Sequence, residues 1–123
     1  KRRIGNKDHV ESLNVIGDVN NKMAVMIDDE IDTGGTLVEA ISAVTLAGAR
    51  GVYAFATHGL LSGDAVTKLQ ATSALKELVL TDTIDIPEQK RVSSKVTVLS
   101  IAPLLGEAIS RIQSGRSVGA LFN

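Results

Sequence analysis

Four carboxylates, two hydroxyls and two adjacent glycines stand within nine residues in the string Asp28-Asp29-Glu30-Ile31-Asp32-Thr33-Gly34-Gly35-Thr36. If a helix begins at the glycines, Thr33, Gly34, Gly35 and Thr36 line up successive backbone N–H groups at its mouth. Unpaired donors and the positive end of the helix dipole attract a phosphate there. The glycines let the backbone approach the anion with no Cβ in the way. Carboxylates repel phosphate, so those just upstream should face another part of the same ligand, either sugar hydroxyls or a hydrated Mg²⁺ between sugar and pyrophosphate. One loop of this kind could grip both ends of a ribose 5-phosphate. The plainer alternative is that Asp32 or Thr33 is an ordinary helix N-cap and the glycines only make a turn.

Such a loop needs a strand in front and a helix behind. The apolar run Met23 to Ile27, ending at Asp28, supplies the strand. Leu37, Ala40, Ile41, Val44 and Ala47 recur at three- and four-residue steps, which predicts a helix over about 36–47. Val52 to Thr57 is β-branched, aromatic and apolar, the profile of a buried parallel strand, so a right-handed strand-helix-strand crossover is expected. Further on, the pattern predicts a helix near 64–70 capped by Ser62, a strand at 77–81 and a polar connection over 82–94. A strand at 96–101 and a helix at 103–113 with Pro103 in its first turn complete the set. Upstream, Leu13, Val15 and Ile16 suggest a strand over 11–18 that could form a hairpin with the Met23 strand; the tail 116–122 could add another. The expected fold class is α/β, one domain over residues 1–123, with a mainly parallel sheet flanked by helices.

Composition narrows the function classes. Formal net charge is −1, from 13 basic and 14 acidic side chains, so bulk attraction to nucleic acid or an anionic membrane is not expected. Tyr53, Phe55 and Phe122 are the only aromatics, too few for a base-stacking platform. The absence of cysteine removes disulfides, thiolate catalysis and Cys-based zinc sites, and no side-chain set is assigned as a metal site. No apolar run approaches a membrane span and no signal peptide is visible, so a cytoplasmic location is expected. The chain opens on Lys1, with no initiator Met, which reads as a fragment.

The string VMIDDEIDTGGT resembles the ribose-5-phosphate loop of the type I phosphoribosyltransferase fold. The segments KRR, NVIGDVNNK, THGLLSGDA and SVGALF, in order along the whole chain, are similar to the C-terminal half of the ribose-phosphate pyrophosphokinase family, the synthetases of phosphoribosyl pyrophosphate. The resemblance implies transfer of pyrophosphate from ATP to the 1-hydroxyl of ribose 5-phosphate, for nucleotide biosynthesis. It assigns Asp32, Thr33, Gly34, Gly35 and Thr36 to the 5-phosphate, and Asp28 and Asp29 to the ring hydroxyls. Lys1 and Arg3, in a flexible catalytic loop over residues 1–10, would reach the triphosphate. Mg²⁺ would arrive with ATP, its protein ligands and most of the adenine pocket lying outside this chain.

The same resemblance puts THGLLSG near subunit contacts and the nucleotide pocket, with His58 one step removed from substrate. Ser117 and Val118 would belong to an intersubunit allosteric site, and Gly119 stands where the family has a second serine. A homo-oligomer is expected, because an isolated half would expose apolar surface. Alone, the chain should bind the sugar phosphate weakly and turn over nothing. Two other readings use the same loop: a phosphoribosyltransferase acting on a nucleobase, and a non-catalytic regulatory subunit.

Overall fold

The computed structural model describes residues 15–91 and 94–122, so Lys1, Arg3 and the 11–14 part of the predicted first strand lie outside the described residues. Four strands, β1 (Met23–Ile31), β2 (Gly51–Gly59), β3 (Leu75–Thr81) and β4 (Val96–Leu99), form a parallel sheet in the order β1-β2-β3-β4. Between and after them come α1 (Gly35–Leu46), α2 (Ala65–Ala71), the single turn α3 (Glu88–Arg91) and α4 (Ala102–Gln113). This is the α/β architecture that the alternating pattern predicts.

The strand order decides where the core lies. When every step along a parallel sheet goes the same way, right-handed crossovers land all their helices on one face. That face carries the core: Val52, Ala54, Leu78 and Leu80 from the strands meet Leu37 and Ile41 of α1 and Ala65 and Leu69 of α2. Of these, Val52, Leu78 and Leu80 are wholly inaccessible. The alternate residues of the same strands face away. Val25 is 62% exposed and Ile27 83%, and Tyr53, Phe55 and Leu99 are also exposed.

Several local expectations change. Residues 15–22 form turns rather than a strand, and among the described residues β1 pairs with β2 alone. Asn21 N–H donates to Gly48 O at 2.8 Å, which docks the approach segment beside the end of α1 and leaves no hairpin there. The strand β1 runs three residues past Asp28, so Asp28, Asp29 and Glu30 belong to its last stretch and not to a loop. The polar connection after β3 holds α3 and the buried Ile86. The tail forms a short 3₁₀ turn over Gly119–Leu121 instead of a strand. The apolar stripe predicted on α4 exists, but Leu104, Leu105, Ile109 and Ile112 are all exposed.

Candidate active site: an acidic strand end and an amide cup

A cavity of about 250 Å³ opens at the carboxyl end of β1, lined without a break from Asp28 to Leu37. All seven residues that the sequence assigns to the sugar phosphate, Asp28, Asp29, Asp32, Thr33, Gly34, Gly35 and Thr36, therefore share one cup. In open parallel sheets ligands collect at this end of the strands. The cup faces solvent: the acidic residues, Thr33 and Thr36 are exposed, whereas Gly34 is buried.

Gly34 is the N-cap of α1 and holds φ 74°, ψ 0°, a left-handed conformation that glycine adopts without the Cβ penalty. No side chain caps the helix, so the reading of Asp32 or Thr33 as an ordinary N-cap does not describe this loop. The helix's own bonding begins with Val38 N–H donating to Gly34 O at 3.0 Å. Among the described residues, the N–H groups of Thr33, Gly34, Gly35 and Thr36 have no recorded acceptor. They are the orphan donors that a helix start leaves for water or an anion. A Cβ built on Gly35 would meet nothing closer than Thr33 Oγ1 at 3.9 Å, so packing within the chain does not require glycine there.

The acids order themselves along the strand. Asp28 Oδ1 accepts from Asp29 N–H and Asp29 Oδ1 accepts from Glu30 N–H, both at 2.9 Å. Each carboxylate is thus tied to the next peptide by one oxygen. Among the described residues no three His, Asp or Glu side chains converge as a metal cluster, so the acidic row does not by itself make a magnesium cage. Among the described residues the cavity lining carries no Lys or Arg, and its anion-attracting groups there are the amides and the helix dipole.

The backbone of the cup is held from the far side. After β2, Leu60 and Leu61 N–H both donate to Ile31 O (2.9 and 3.1 Å), and Ser62 N–H donates to Asp32 O (3.0 Å). Ser62 therefore braces the cup and does not cap α2, whose N-cap is Asp64. Beneath Gly34 lie Leu69 and Ala65 of α2, in ordinary van der Waals reach of any Cβ placed there.

His58 is the strand partner of Glu30 in the register between β1 and β2. Its Nδ1 lies 2.9 Å from Thr83 Oγ1, and Thr83 and Thr81 hydroxyls donate to Thr57 O at 2.9 and 2.6 Å. The two threonine hydroxyls thus tie the end of β2 to the segment after β3, with the His58 ring against Thr83. At the other end of the chain, Ser117 O accepts from Arg111 Nη1 at 3.0 Å and Val118 is half-buried. Neither lines the cup.

Glu30, the turn Leu60–Ser62 and Lys90, which donates to Leu61 O, are the site contributors that sequence reasoning did not assign. Glu30 was visible as a fourth acid. The other contributions come from backbone groups and one long-range hydrogen bond, which leave no local pattern.

Comparison with known proteins gives the same direction. The chain is 53% identical over 112 residues to a ribose-phosphate pyrophosphokinase of Caldanaerobacter subterraneus subsp. tengcongensis, covering 91% of this chain and 35% of that protein. It is 48% identical over 113 residues to the enzyme of the same name from Oceanobacillus iheyensis, covering 92% and 35%. The crystal structure of phosphoribosylpyrophosphate synthetase from Mycobacterium smegmatis superposes with a TM-score of 0.75 at 42% identity, over 81% of this chain and 33% of that one. The chain thus spans about a third of the length of the relatives it matches. A family model described as the phosphoribosyl synthetase-associated domain matches residues 4–123, and this chain belongs to that family.

Proposed function

We propose that this chain forms the ribose-5-phosphate-binding part of a ribose-phosphate pyrophosphokinase, a transferase that passes pyrophosphate from ATP to the sugar and serves nucleotide biosynthesis. One observation carries the reading: four successive residues whose N–H groups have no acceptor among the described residues line a cavity rimmed by carboxylates. Thr33, Gly34, Gly35 and Thr36 amides take the 5-phosphate, and Asp28 and Asp29 accept from the 2- and 3-hydroxyls. Asp32, between the two groups, contributes to the phosphate end through its backbone, because a carboxylate repels a phosphate dianion.

With both ends of the sugar held, its 1-hydroxyl is presented in line with the β-phosphorus of ATP. The new bond joins the sugar's O1 to the β-phosphorus, the bond between the α,β-bridging oxygen and the β-phosphorus breaks, AMP leaves, and the proton of the 1-hydroxyl passes to solvent. Much of the rate enhancement is then positioning and neutralisation of charge on the phosphate oxygens. Lys1 and Arg3 supply the neutralising charge, Arg through a planar fork that binds two oxygens. Mg²⁺ accompanies ATP, with its protein ligands outside this chain. Because the bare sheet face needs cover, the working form is an assembly, which we take to be a homo-oligomer; alone the chain binds sugar phosphate without turnover.

Gly35→Ala tests this directly. Alanine costs the fold nothing at Gly35 and, by restricting the unfolded chain, should stabilise it by about 0.4–1 kcal/mol. The same methyl sits at the lip of the amide cup. Isothermal titration with ribose 5-phosphate should show binding by the native chain and a loss of about ten-fold or more in the variant, with an unchanged or raised Tm. Equal affinity in both would remove the phosphate from this site.

A further inference from the structure

Leu61 is the one non-glycine residue near the cup with a left-handed backbone, at φ 50°, and its side chain is wholly buried. That conformation costs a β-carbon residue about 1–2 kcal/mol, so something must hold it. Its N–H donates to Ile31 O at 3.1 Å, and its carbonyl accepts from Lys90 Nζ at 2.6 Å. The flanking N–H groups of Leu60 and Ser62 donate to Ile31 and Asp32. The backbone entering the cup therefore rests on a turn whose far side rests on one ammonium group.

Lys90 is well placed for that work. It is half-buried in α3, where its own N–H donates to Pro87 O at 2.8 Å and begins the turn. Ile86, the residue before Pro87, is 2% exposed and anchors this connection in the core. A hydrogen bond from a charged donor is worth roughly twice a neutral one, and a buried carbonyl left without a donor is costly.

We infer that Lys90 is a positioning residue for the phosphate cup, acting through the Leu61 carbonyl and the turn Leu60–Ser62 that fixes the backbone of Ile31 and Asp32. This rests on the phosphate-binding reading above, and it predicts that ligand affinity depends on a residue that does not line the cavity. Lys95 supplies a matched control. Its Nζ donates to Gln70 O (2.9 Å) and Thr72 O (2.7 Å) at the opposite end of α2, a similar strut that does not brace the cup.

The test compares Lys90→Met, Lys90→Arg and Lys95→Met by titration with ribose 5-phosphate, together with amide hydrogen exchange on the unliganded proteins. Lys90→Met should weaken binding about ten-fold or more. Lys90→Arg, which keeps a charged donor of similar length, should stay within about three-fold of the native chain, as should Lys95→Met. Exchange should accelerate at the Leu60, Leu61 and Ser62 amides in Lys90→Met beyond any change elsewhere. If Lys90→Met fails to fold, Lys90→Gln takes its place and is read the same way.

Native affinity in the Lys90 variant, or equal loss in the Lys90 and Lys95 variants, overturns the inference. If the native chain itself does not bind ribose 5-phosphate, the functional reading fails, and the exchange data decide the strut separately. Selective acceleration at the three amides then supports it, and unchanged exchange overturns it.

Discussion

The two faces of the sheet are built from the same strands and meet opposite fates. On one, Val52, Leu78 and Leu80 are sealed beneath α1 and α2; on the other, Val25, Ile27, Phe55 and Leu99 stand open. Side-chain chemistry does not separate them, since both faces are apolar. The strand order does, because four strands added in one direction send every right-handed crossover to the same side. Parallel strands ordinarily have both faces covered, so the near-continuous apolar runs of β1 and β2 are those of a sheet with cover on both sides. Among the described residues, the cup sits at the end of edge strand β1, with Leu69 and Ala65 of α2 packed behind Gly34.

Truncating one residue on each face should expose the asymmetry most clearly. Leu78→Ala removes a fully buried side chain and should cost about 2–5 kcal/mol in urea unfolding, whereas Ile27→Thr should change stability by about 0.5 kcal/mol or less. Similar losses at both sites would mean that the open face is covered in the isolated chain. A smaller effect is expected from Gly59→Ala at the end of β2. Its methyl would come within 2.5 Å of Leu80 Cδ1 and 3.2 Å of Ile86 Cδ1, and overpacking of this kind costs about 1–3 kcal/mol. A Tm equal to that of the native chain would show that the packed face has room to give.

The smallest effect concerns the outer surface of α2. Asp64 lies 2.8 Å from Lys68 Nζ, and its hydrogen bond with that lysine holds the carboxyl below its ordinary value. A folded-state pKa below the unfolded one stabilises the protein above the unfolded pKa, and the contribution is lost as pH falls through the folded value. Asp64→Asn should therefore lower Tm slightly near neutral pH and not at all in strong acid, below both values. Because the pair is exposed, added salt should shrink the difference. A Tm difference that persists in acid would assign the effect to something other than charge.

The strand, glycine loop and helix around residues 23–47 were legible because each is set by neighbours in sequence: an apolar run, two glycines and a three-to-four-residue periodicity. The same local logic placed β2, β3, β4 and α4 to within a few residues at each end. It failed where polar and apolar residues alternate without a partner. Val15 and Ile16 look like strand residues, but the following segment bonds to the end of α1 and the turn after it, Asn21 N–H donating to Gly48 O and Lys22 O accepting from Arg50 N–H. The 82–94 stretch reads as a polar connection, yet Ile86 is core and Lys90 reaches Leu61, 29 residues back. Nothing in a window of ten residues distinguishes such a lysine from a solvated one.

From its letters alone, the chain committed to a helix start with open amides behind a row of acids, since donor placement at a glycine turn and charge along a strand are short-range properties. Tertiary structure decided which face of the sheet stays open, which turn braces the cup and which lysine braces the turn. Those outcomes depend on crossover handedness and on hydrogen bonds between segments far apart in sequence, and no local pattern of residues carries that information.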